Sequence, residues 1–170
     1  MILGMSTAAF TLLHVIISLI GIAAGFVVVF GMLGSKRLPG WTAVFLVTTV
    51  LTSVTGFFFH SAKFGPPHVI GIISLVVLVV ALAAIYVYHL AGASRWVYVV
   101  TSVFALYLNT FVGVVQAFNK IPALNALAPT QSSEPAFIIA QTATLVLFVV
   151  LGVLAVRRFH PVAPMRPAFA

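Results

Sequence analysis

Five stretches of this chain, over roughly 7–33, 41–60, 68–90, 96–118 and 136–156, are apolar for about the 20 residues that an α-helix needs to cross a hydrocarbon core. Backbone amides in hydrocarbon have no water to bond, so each stretch must close its hydrogen bonds within itself, as a helix does. Composition agrees: 63% of the 170 residues are hydrophobic, 5% are charged and the mean hydropathy is +1.28, far from the range of soluble domains. The sequence therefore predicts an all-α, polytopic integral membrane protein, a bundle of five transmembrane helices in a single domain over 1–156. A basic, proline-rich cytoplasmic tail is expected over 157–170. The connections GSKRLPG, SAKFGPP and AGASR are short, so consecutive helices are expected as antiparallel neighbours. An odd span count without an internal repeat argues against an inverted duplication of the transporter kind.

Cytoplasmic loops carry the excess of Lys and Arg, which sets the orientation. With the N-terminus outside, Lys36, Arg37, Arg95, Arg157, Arg158 and Arg166 fall inside, and only Lys63 and Lys120 fall outside. Trp41 and Trp96 then both begin helices at the inner interface, where an indole keeps one end wet. The first stretch has no Lys or Arg before it and is about twice as long as the core of a secretion signal, so it is expected to be retained. For the last span, Ser132 or Ser133 is expected to cap the helix, Glu134 to face its positive dipole end and Pro135 to fit the first turn.

The net charge of +7 comes as ones and twos between apolar runs and forms no basic face, which argues against a nucleic-acid partner. The expected partners are the lipid bilayer and a membrane protein or a second copy of the chain. Glu134 is the one carboxylate side chain, which excludes hydrolysis by paired carboxylates and a Ser-His-Asp triad. Without cysteine there is no thiolate metal site or Cys nucleophile. No predicted span contains Asp, Glu, Lys or Arg, the usual carriers of coupled ion transport.

What remains are polar seams. Thr7, Thr11, His14, Ser18, Gly21 and Gly25 lie along one stripe of the first span. The second carries Thr48-Thr52-Thr55 beside Thr49-Ser53-Gly56-His60, the fourth Ser102-Asn109-Gly113-Gln116, and the fifth Gln141 and Thr144. Such stripes either mark close packing with interhelical hydrogen bonds or line a site. At about 1.5 Å rise per residue, His14, Asn109, Gln116, Gln141, His60 and His68 gather in the outer half, under the 119–135 connection with its short amphipathic piece IPALNALAP.

Three chemistries suit that cluster. An apolar or amphipathic ligand, a lipid or quinone, would place its polar end on His14, Ser18, Asn109, Gln116 or Gln141. A b-type haem would take His14 with His60 or His68, although His14 lies about 9 Å deeper on upright helices. A Cu or Zn ion would use His14, His60 and His68, and a small passive transporter is a further alternative. His14 lies within the hydrocarbon zone and needs a partner, for which Ser18, Asn109 and Gln141 are the candidates.

The segments HVIGIISLVVL, over 68–78, and ALYLNTFVGVVQAFNKIPALNALAPTQS, over 105–132, are similar to small bacterial multi-spanning membrane proteins that carry no assigned activity. The resemblance implies the helical fold and a bacterial inner (plasma) membrane and transfers no catalytic residue. The expected function is a non-enzymatic accessory subunit, or a binder of an apolar or amphipathic ligand in the outer half of the bundle, with a haem-binding electron-transfer subunit as the alternative.

Overall fold

The computed structural model describes residues 1–59, 65–130 and 133–161. The protein is all-helical, with no strand among the described residues. Its helices are α1 (Thr7–Leu33), α2 (Pro39–Gly56), α3 (Pro66–Leu82), α4 (Ser94–Lys120), α5 (Pro122–Leu127) and α6 (Pro135–Arg158), and α3 runs on into a π-helical turn over Ala83–Val87. Four helices are long and apolar enough to cross a membrane: Thr7–Leu33, Pro66–Val87, Ser94–Lys120 and Pro135–Arg158. The stretch expected over 41–60 is the exception. As a helix it has 18 residues, five of them threonines, and it gives way to turns at Phe57.

Proline decides where several helices begin. Pro39, Pro66, Pro122 and Pro135 all stand in the first turn, where the missing N–H costs nothing and the fixed φ suits the helix. The α2, α3 and α6 starts therefore precede the expected ones by one or two residues. At α6 the extended Glu134 is the N-cap and makes no side-chain cap bond. The expected serine cap is not made by Ser133, which instead pairs with Thr130 Oγ1 at 3.2 Å; Ser132 lies outside the described residues. Thr130 in turn donates to Glu134 Oε1 at 3.0 Å.

The helix α4 touches all the others, and α2 lies against both α1 and α3. Contacts gather at two ends. At one, the His160 N–H donates to Ser35 Oγ at 2.9 Å and the Arg95 guanidinium donates to the Phe159 carbonyl. Phe159 is therefore no part of a loose tail: it is buried, with its ring 6.2 Å from that of Tyr98. At the other end Phe10 meets Phe58 and Phe59 at 6.4 and 5.2 Å, Phe57 lies 6.0 Å from His68, and Phe118 sets an edge on Phe137 at 5.4 Å.

The core between these ends is built on two glycines of α1. A Cβ on Gly25 would stand 2.5 Å from Leu106 Cδ1 and 3.0 Å from the Phe45 ring, so α1 approaches α2 and α4 closely here and a side chain would have to displace both. Close backbone approach through small residues is how helices gain packing energy in lipid, where apolar burial alone gives none.

Candidate functional site

The hydroxyls of α1 and α2, with Thr101 and Thr110 of α4, are mostly satisfied within their own helices. Thr11, Ser18, Thr48, Thr49, Ser53, Thr55, Thr101 and Thr110 each lie close enough to donate to the carbonyl four residues back, at 2.6–2.9 Å. Short hydroxyl side chains reach their own backbone more readily than a neighbouring helix. Few polar contacts are therefore left to join the helices.

The exception on α1 is His14, half-buried, whose Nδ1 lies 2.7 Å from Thr55 Oγ1 on α2. Thr55 has one hydroxyl proton, and the Leu51 carbonyl lies 2.6 Å from its Oγ1. With that proton on the Leu51 carbonyl, His14 Nδ1 donates to Thr55 and Nε2 keeps a bare lone pair; with it on the imidazole, Nδ1 accepts and Nε2 carries the N–H. The ring is also held by Phe59, edge-on at 5.1 Å. Thr55 is thus the partner that His14 needs, and not Ser18, Asn109 or Gln141. Ser18 donates to the backbone of His14, not to its ring.

Asn109 lies one helix away and is 9% exposed. Its Nδ2 meets α1 where Gly21 has no side chain: a Cβ there would stand 3.2 Å from Asn109 Nδ2, 3.1 Å from Thr48 Oγ1 and 3.3 Å from Thr49 Oγ1. Three polar atoms from two helices thus surround one bare α-carbon. Yet Asn109 Nδ2 has no hydrogen-bond partner among the described residues, and neither has Thr52 Oγ1 or Gln141 Oε1. In a medium that offers no hydrogen bonds, leaving such a group unpaired is expensive.

The remaining candidates are dispersed. Gln141 donates from Nε2 to the Phe111 carbonyl at 3.2 Å, tying α6 to α4. Gln116 is exposed near the end of α4. His68 Nδ1 accepts from the Gly65 N–H at 3.2 Å and closes the start of α3. His60 lies outside the described residues, and among those described no group of three or more His, Cys, Asp or Glu is close enough to hold a metal ion. The piece within IPALNALAP forms α5, tied back to α4 by Asn125 Nδ2 donating to the Phe118 carbonyl at 3.2 Å.

Sequence reasoning placed Thr55 on a stripe but missed it as the partner of His14. The signal was present for Thr55, which stands on an expected stripe near the same end as His14. Compared with family models, with curated proteins and with solved structures, the chain matches none.

Proposed function

We propose that the protein is a five-span integral membrane protein of the bacterial inner membrane, N-terminus outside and C-terminus cytoplasmic, without enzymatic activity. It holds an apolar or amphipathic ligand, a quinone or lipid, against the outer part of the α1–α2–α4 seam, alone or as an accessory subunit of a membrane partner. Support for a fifth crossing by α2 comes from its place against both α1 and α3. Its C-terminal Thr55 meets His14 near the start of α1, while its N-terminal Thr42 lies 3.5 Å from Tyr98 near the start of α4. Contacts at both ends are what an antiparallel span between α1 and α3 requires.

The observation that carries the binding reading is the unpaired amide nitrogen of Asn109. It offers two N–H donors and has no acceptor among the described residues, and a carbonyl or ester oxygen of a ligand would complement it. With Nδ1 protonated, His14 Nε2, seven residues from Gly21 along the same stripe and so about 10 Å away, presents the opposite character. Mass spectrometry of an organic extract of the purified protein tests this. A quinone or lipid should be retained, and Asn109→Leu should lower its amount about tenfold while leaving the empty protein at least as heat-stable, because an unmet buried donor costs about 1–3 kcal/mol. If nothing is retained, or if Asn109→Leu keeps the ligand and melts earlier, the seam is packing alone.

In that same tautomer the bare Nε2 of His14 also suits a second reading, an axial ligand to a b-type haem, since a ligating histidine commonly donates its other ring N–H to an oxygen. The absorption spectrum of the same preparation separates the two. A Soret band lost in His14→Ala supports haem, and a colourless protein removes it.

A further inference from the structure

At the end of the bundle that holds the α1–α2 connection, a cleft of about 300 Å³ lies between the end of α1, the start of α2, the π-helical turn and α4. Its buried floor is Val28, Met32, Thr42 and Tyr98, and the exposed residues around it include Lys36, Arg37 and His89. One side of the cleft is therefore apolar and the other cationic.

Among the described residues the charge has no acidic counterpart at the cleft. Glu134, the one acidic residue of the chain, is the N-cap of α6 and accepts from Thr130, whereas Lys36 and Arg37 precede α2. Two adjacent cations without a carboxylate partner leave the rim of the cleft open to an anion.

The walls are also fixed in place. Ser35 in the α1–α2 connection accepts from the His160 N–H, and Arg95 holds the carbonyl of Phe159, whose ring lies against Tyr98. Across the cleft, His89 and Leu90 take positive φ angles of 49° and 62° directly after the π turn. Left-handed backbone at residues other than glycine persists only where its surroundings enforce it, and both that strain and π turns recur at binding sites.

We propose that this cleft binds one anionic phospholipid, its phosphate between Lys36 and Arg37 with His89 beside it and the start of its acyl chain on Val28 and Met32. A guanidinium meets two phosphate oxygens at once and an ammonium adds a compact charge. The apolar floor separates such a site from the diffuse attraction that any basic surface has for anionic lipid. The inference rests on the chain lying in a membrane, and it is independent of the ligand proposed for the α1–α2–α4 seam.

Native mass spectrometry of the full chain, reconstituted with equal phosphatidylglycerol and phosphatidylcholine, tests it. Wild type should retain phosphatidylglycerol in preference. The double variant Lys36→Gln, Arg37→Gln should lose at least about tenfold more of it than Arg157→Gln, Arg158→Gln, which removes equal charge from the end of α6. Should the first double variant fail to fold, Lys36→Gln alone, at an exposed position, should still lose about threefold. Millimolar inorganic phosphate should leave the lipid bound. Equal losses in the two double variants, no loss in Lys36→Gln, equal retention of phosphatidylcholine, or displacement by inorganic phosphate would each overturn the proposal.

Discussion

Gly25→Val should be strongly destabilising. The new Cβ would stand 2.5 Å from Leu106 Cδ1 and 3.0 Å from the Phe45 ring, and both side chains are 0% exposed. Both must shift within a buried surrounding, and valine, stiff at χ1 in a helix, cannot rotate its methyl groups out of the way. Forcing volume into a filled core costs about 1–3 kcal/mol, and here the upper part of that range is expected. Thermal melting in detergent should show a clear fall. Two controls share the chemistry without the crowding: on Gly113 and Gly152 a Cβ would meet its nearest neighbours, Ile22 and Val103, at 3.5 Å. Gly113→Ala and Gly152→Ala should melt at or above the wild-type temperature, because alanine is the better helix former. A Gly25→Val protein as stable as these two would mean that α1 does not approach α2 and α4 as described.

Phe159→Ala should rank beside it. The ring is 2% exposed and packs on Tyr98, while the same residue's carbonyl receives Arg95 and the next N–H binds Ser35. Truncating a buried phenylalanine costs about 3–5 kcal/mol in soluble cores. About 3 kcal/mol is expected here, since the residue sits at the end of the bundle. The loss should also release the α6 terminus. Limited trypsin digestion should cut at Arg157 and Arg158 several times faster, with Arg95→Gln showing the same change to a smaller degree. Unchanged cleavage would show that Phe159 does not anchor this end.

The apolar runs made the helices legible, because a twenty-residue stretch without charges has few other ways to satisfy its backbone. Pro135 marked the start of α6, whereas the expected starts at 41 and 68 passed over Pro39 and Pro66, which begin α2 and α3 two residues earlier. What could not be read was how the helices turn toward one another. Spacing placed Thr48, Thr52 and Thr55 on one stripe, yet Thr48 and Thr55 bond their own helix, Thr55 also meets His14, and Thr52 Oγ1 is left unpaired. Those three outcomes differ by a rotation of α2 that no periodicity encodes. Phe159 was hidden for a related reason: RRFHP resembles a solvated tail, and it is Arg95, Tyr98 and Ser35, all from distant parts of the chain, that hold it in place. Lys36 and Arg37 were read as topology signals, and their meeting with His89 depends on a π turn that has no local sequence mark.

The central claim is that α2 crosses as well, so that the chain spans five times with its ends on opposite sides. The chain lacks cysteine, so single cysteines at the exposed positions Leu3, Gly34, Pro67, Ala91 and Ser133 can be probed with a membrane-impermeant maleimide on intact cells. Leu3→Cys, Pro67→Cys and Ser133→Cys should label from outside, and Gly34→Cys and Ala91→Cys only after the membrane is opened. Labelling of Gly34→Cys and Pro67→Cys from the same side would contradict the five-span arrangement.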